Sequence, residues 1–306
     1  MEKVVIAFGG NALLRNGEQR SYEVQYNHAK EAFRSISKII SENRVILTHG
    51  NGPQVGDILL SHEISGIKAY LHECVAMSQG TIGEILSNAY NDIKNEYGMQ
   101  KQIVQIITRV AVNKNDPAFS NPTKPIGRSY KEEEVAAFES KGWIMKNTDE
   151  GWRRVVPSPK PIRIVEIEAI ENLANAGFLP IAVGGGGIPV IEENKSITPV
   201  DAVIDKDFAS SLLAIDIKAD TLMILTDVDY AYIDFEKPSQ KKIKEASLSL
   251  MENYINNGEF ESGSMLPKVQ AAMEFVKNGG KRAIITSLEN ASKAFYGNFG
   301  TIIRPD

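Results

Sequence analysis

The chain has 306 residues, with 34 Lys+Arg against 39 Asp+Glu, a formal charge of −5 and 42% hydrophobic residues. One core usually stops growing at roughly 250–300 residues, so this length calls for a large α/β domain with an insertion or for two modest domains. The acidic balance excludes the broad basic surface that DNA, RNA or anionic lipid needs, while leaving room for a small anion held by a few local lysines.

The single cysteine, Cys74, cannot form an internal disulfide and fits a reducing compartment. The first apolar run spans about five residues before Gly9-Gly10, too short for a signal peptide, and no run approaches the ~20 residues of a spanning helix. A cytoplasmic location without membrane or nucleic-acid partners is therefore expected.

Short β-branched runs alternate with helical patterns along the chain. The runs are VVIAF at 4–8, RVILT at 44–48, QIVQII at 102–107, FLPIAV at 178–183, TLMILT at 221–226 and RAIIT at 282–286. Each is nearly continuous in apolar residues, as in strands covered by helices on both faces, which predicts a largely parallel, doubly wound α/β sheet. Helices are predicted at 21–42, 70–96, 165–176, 205–218 and 266–278, the last opened by Ser264 with Pro267 in its first turn.

Residues 109–163 break this rhythm. They hold both tryptophans and six of the thirteen prolines, and are read as a small subdomain inserted between a strand and a helix. A surface linker would explain the prolines. Trp143, Trp152, Tyr130 and Phe138, however, supply aromatic surface enough for a packed unit.

Ligands of open α/β sheets bind beyond the carboxyl ends of the strands, so the residues following each run are the candidates. They are Gly9-Gly10-Asn11, then His49-Gly50-Asn51-Gly52, then the four glycines 184–187, then Asp227-Val228-Asp229. Any one glycine cluster reads as a tight turn; three at one edge point to close approach of backbone N–H groups to an anion. The P-loop pattern is absent, and Gly50-x-Gly52-x-x-x-Gly56 has the wrong spacing for a dinucleotide fingerprint.

Lysines supply the second signal. Lys206 opens a helical pattern and Lys268 lies in the first turn of another; a cation there opposes the helix dipole unless something anionic is bound. Asp207 could hold both through charge-assisted hydrogen bonds. His28, His49, His62 and His72 lack metal spacing, and no protein-held metal site is expected.

These stretches resemble the carbamate kinases, a branch of the amino acid kinase superfamily. VVIAFGGNAL (4–13), LTHGNGPQVG (47–56), NPTKPIG (121–127), GWRRVVPSPKP (151–161), AVGGGGIPV (182–190), AVIDKDFAS (202–210), LTDVDYAYI (225–233) and GSMLPKVQAA (263–272) carry the likeness along the whole chain. The resemblance implies a three-layer αβα sandwich with a protruding subdomain, a homodimer, and reversible reaction of carbamate with MgATP to give carbamoyl phosphate and ADP. It also implies that Gly9, Gly10, Asn11, Gly50, Asn51 and Gly52 hold the substrate and the transferred phosphoryl group. Lys206 and Lys268 would bind phosphate, Asp207 would organise them, Asp227, Tyr232 and Met265 would flank the nucleotide, and Lys124 would be lowered into the site by the subdomain.

Many other members of the superfamily carry a lysine two residues before the first Gly-Gly. Here that position is Ala7, which argues against an acylglutamate or isopentenyl phosphate kinase, although His49 after the second strand keeps the latter as an alternative. A non-catalytic nucleotide sensor is the rival from another class.

Overall fold

A computed structural model describes residues 1–9, 13–14, 18–148, 151–261, 263–297 and 299–306. Among them the largest sheet has eight strands: β1 (Lys3–Phe8), β2 (Arg44–His49), β3 (Ile103–Gln105), β9 (Leu179–Ile181), β12 (Thr221–Thr226), β15 (Glu245–Ser247), β16 (Arg282–Ser287) and β17 (Thr301–Arg304). Their order is β15-β17-β16-β12-β1-β2-β9-β3, parallel at every step except β16–β17. All six apolar runs lie in this sheet.

Alternation within β1 shows why those runs are continuous. Val4, Ile6 and Phe8 pack on one face with α1 (Tyr22–Glu42), α3 (Leu71–Tyr97) and α9 (Ala291–Tyr296). Val5 and Ala7 pack on the other with α5 (Ile167–Asn175), α6 (Lys206–Asp216), α7 (Leu248–Asn256) and α8 (Met265–Lys277). Two apolar layers therefore sandwich the strands, giving the expected three-layer αβα arrangement. None of the described helices is long and apolar enough to cross a membrane.

A second sheet of four strands, ordered β11-β10-β4-β8, was not anticipated: β4 (Arg109–Val112), β8 (Pro161–Ile164), β10 (Ile188–Glu193) and β11 (Ser196–Pro199). The first and last residues of the 109–163 stretch thus pair within this sheet. Between them, β5 (Lys124–Tyr130), β6 (Ile144–Thr148) and β7 (Gly151–Val156) form a separate antiparallel sheet carrying α4 (Glu132–Glu139). Its own small core contains Tyr130, Val135 and Met145, with Phe138 stacked on Trp143 at 4.6 Å. A further hairpin, β13 (Ala231–Ile233) with β14 (Lys241–Ile243), follows β12.

The three-stranded sheet is fastened to the main body by α2 (Gly52–Ser65). Ile126 and Val156 share an apolar cluster with Val55, Leu71 and Val203, and Gly56 of α2 lies against Gly127 of β5. A β-carbon on Gly56 would stand 2.1 Å from Gly127 Cα. In an open helix Gly→Ala stabilises by about 0.5–1 kcal/mol. Here Gly56→Ala is expected instead to destabilise by about 1–3 kcal/mol through overpacking, and the sign of the Tm shift in thermal unfolding checks it.

Candidate active site

Because β1, β2, β9 and β12 run parallel, their carboxyl ends share one edge. Chain order reverses across β1, where β12 lies on one side and β2 on the other, the kind of switch point at which doubly wound sheets bind ligands. Gly9, the residue after β1, lies so close to β12 that a β-carbon would sit 2.8 Å from the Leu225 carbonyl oxygen. Gly10 and Asn11 lie outside the described residues.

α6 and α8 pack side by side and start at this edge. Asp205 caps α6, its Oδ1 accepting the Asp207 N–H at 2.9 Å. Ser210, one turn on, binds Thr48 of β2 at 2.7 Å and fixes the helix against the sheet. Lys206 then occupies the first helical position and Asp207 the second, and Asp207 is only 3% exposed. Lys206 Nζ donates to Asp207 Oδ1 at 2.5 Å, and Lys268 Nζ, from the first turn of α8, reaches Oδ2 at 3.4 Å. Ser264 sits at the cap position of α8 without capping it; its hydroxyl donates to Glu261 at 2.5 Å instead.

The electrostatics follow from this geometry. Burial by itself raises the Asp207 pKa, but Lys206 and then Lys268 outweigh it and hold the carboxyl at about 2. Burial pulls the Lys206 ammonium pKa down, Asp207 opposes that, and the neighbouring Lys268 charge adds to the fall. Lys124, at the start of β5, donates to Asp205 Oδ2 at 2.6 Å, so the projecting sheet meets the cluster through the residue that caps α6.

Two cavities flank the cluster. The larger, about 340 Å³, is lined at the sheet edge by Gly9, Thr226, Asp227 and Lys268 and farther out by Tyr232, Phe235, Phe260 and Met265. The smaller, about 180 Å³, is lined by Gly50, Asn51, Gly52, Lys124, Gly185 and Lys206. Asp207 lies behind both and holds one lysine from each.

The four glycines 184–187 prove to be mainly a packing device. β-carbons there would fall 2.4 Å from His49 Nε2, 1.9 Å from Asn51 Nδ2, 2.2 Å from the Ile204 oxygen and 2.2 Å from Val110 Cγ2, respectively. Of the four, Gly185 lines the smaller of these two cavities. His49 lines neither cavity; its Nδ1 faces the Gly50 carbonyl at 3.0 Å, and burial, with Lys206 nearby, pushes its pKa down to about 4. A neutral, buried imidazole turned onto backbone is not placed to act on an acceptor.

The amino acid kinase family model matches residues 2–287. The chain belongs to that family. Within it the match is to the carbamate kinases: 59% identity to that of Thermoplasma volcanium, covering all of both chains, and 59% to that of Thermoplasma acidophilum over 99% of each. The solved structure of carbamate kinase from Giardia lamblia bound to AMP-PNP superposes with a TM-score of 0.92 at 44% identity, over 100% of this chain and 99% of that one.

Against this carbamate kinase background, the described candidates fall into two groups at one edge. Gly50, Asn51, Gly52, Lys124 and Lys206 face the small cavity; Gly9, Asp227, Tyr232, Met265 and Lys268 face the large one. Gly9, expected with the substrate loops, opens onto the larger space. Sequence reasoning missed Asp205, whose place before a helix is a capping signal, and Phe235, whose ring stands 5.9 Å from that of Tyr232 on an exposed hairpin.

Proposed function

We propose that the chain transfers the γ-phosphoryl group of ATP reversibly to carbamate, giving ADP and carbamoyl phosphate. The observation that carries this reading is the Asp207 bridge, which ties one lysine of a nucleotide-sized cavity to one lysine of a much smaller one. The larger space, with aromatic and thioether side chains at one end and a lysine at the other, suits a nucleotide with its phosphates toward Lys268. The smaller suits a compact anionic acceptor.

Carbamate is already an anion at neutral pH. Its oxygen attacks the γ-phosphorus as the bond to the β-phosphate oxygen breaks, and no proton has to be removed first. The site needs relief of repulsion between two anions and in-line placement, which Lys206, Lys268, Lys124 and the loop after β2 supply. Mg²⁺ would enter with the nucleotide and neutralise charge on its phosphates. No group of three His, Cys, Asp or Glu side chains among the described residues could hold a metal, and Asp207 is committed to lysines. That donor set fits an ion carried by phosphate oxygens, with Asp227 in the larger cavity beside them.

Residues 109–163 are read as the inserted subdomain, with a second copy of the chain and a cytoplasmic setting completing the proposal. ADP release measured with ATP and, in turn, carbamate, N-acetylglutamate and isopentenyl phosphate tests it. Turnover with carbamate alone is expected; turnover with another acceptor, or with none, overturns the reading.

Lys124 is the test of the subdomain. Lys124→Ala is expected to lower kcat/KM for carbamate about tenfold or more while leaving the KM for ATP nearly unchanged. Unchanged carbamate kinetics would make the projecting sheet a cover that contributes no charge.

A further inference from the structure

Two polar residues, Ser78 and Gln79, stand side by side in the middle of α3, and both are fully buried. Burying such groups costs stability unless each is bonded, so their partners show what they hold. Gln79 Nε2 donates to the Gly184 oxygen at 2.9 Å and the Thr108 oxygen at 3.2 Å, while its Oε1 accepts from Thr108 N at 2.8 Å. It therefore fixes the glycine wall against β4.

Ser78 does something more specific. Its hydroxyl donates its one proton to the Val75 carbonyl at 2.7 Å, so toward Asn51 it can only accept, and Asn51 Nδ2 lies 2.7 Å away. The Asn51 carboxamide is pressed against Gly185, where a β-carbon would fall 1.9 Å from Nδ2 and 2.4 Å from Oδ1. Turning the amide over would set Oδ1 against Ser78 and cost the bond to Val75. Asn51 and Gly185 line the small cavity; Ser78 and Gln79 do not.

We infer that Ser78 is a positioning residue for the acceptor. It holds the Asn51 carboxamide with Nδ2 turned into the protein, which leaves Oδ1 to accept a hydrogen bond from an acceptor's amino group. The small cavity thereby distinguishes H₂N–COO⁻ from a carboxylate bearing a methyl group in place of the amine. This rests on the carbamate reading above.

The test is Ser78→Ala in the full chain, a small-for-small change in the helix. Steady-state kinetics give kcat and KM for carbamate and for ATP, and acetate serves as a competitor. The expected result is a fall of about tenfold or more in kcat/KM for carbamate, the scale of a misplaced contact group. The KM for ATP stays within about twofold, and the ratio of acetate Ki to carbamate KM falls by about the same tenfold. Equal weakening of carbamate and acetate, a parallel loss in the ATP constants, or unchanged kinetics would each overturn the inference. A wild-type protein that does not turn over carbamate fails the functional reading itself, whereas an active wild type whose Ser78→Ala variant keeps its selectivity fails this inference alone.

Discussion

Asp207→Asn is expected to lower turnover by at least about 10²–10³, the cost of losing one buried group that organises transition-state charge. Asparagine keeps the shape of aspartate and removes its charge from between two ammonium groups. Lys206 then stays buried, with Lys268 still nearby and its main stabilising partner gone. Its pKa falls further, so at any given pH a larger share of Lys206 is uncharged and unable to relieve phosphate repulsion. The residual activity of the variant should therefore improve as pH is lowered, the opposite of what simple loss of a base would give.

Stability carries a second signature of the same residue. The Asp207 pKa is lowered in the fold from its ordinary 3.8 to about 2. A depressed carboxyl pKa stabilises the native state above 3.8, and that contribution is lost as pH falls toward about 2. The wild type should lose this part of its stability across that window, and the variant should lack the corresponding slope. Uncoupling a buried pair costs about 3–5 kcal/mol, so thermal unfolding at neutral pH should show a lower Tm. A variant with wild-type turnover would show that the two lysines need no shared anion.

The strands were legible because burial on both faces leaves a continuous apolar run, and VVIAF and TLMILT mark β1 and β12. The lysines were legible because Lys206 at a helix start contradicts the helix dipole, and such contradictions are resolved by a ligand or a counter-ion. The four-stranded sheet was not legible. Its strands are short, contain Pro161, Pro189 and Pro199, and pair residues far apart in sequence, such as Val190 with Ala111.

α2 was hidden by its own composition, since Gly52-Pro53-Gln54-Val55-Gly56 reads as a loop; Pro53 in the first turn was the one helical signal. The glycines 184–187 misled in the other direction. Glycine allows both close approach of an anion and close approach of a protein neighbour, and only the fold shows that His49, Asn51, Ile204 and Val110 occupy that space. Ser78 and Gln79 left no trace at all, because a polar pair inside a helical pattern looks like a solvated turn until its burial is known.

Lys206→Met should separate folding from catalysis most sharply. A mostly buried lysine at the positive end of a helix is held against both desolvation and the dipole, so an apolar side chain of similar length offsets part of the cost of leaving Asp207 with Lys268 alone, and the Tm should fall less than in Asp207→Asn. Turnover should nevertheless fall by about 10²–10³. With one of its two cations gone, the Asp207 pKa should rise, moving acid unfolding toward higher pH. Lys268→Met, at the nucleotide side, should lower turnover by the same order and also raise the KM for ATP, because Lys268 lines the larger cavity and Lys206 does not. The double variant decides how the pair works. If Asp207 makes the lysines one unit, the combined loss is much smaller than the product of the single losses, as for other groups that act together. If the losses multiply, each lysine serves its own phosphate and the carboxylate between them only holds them still.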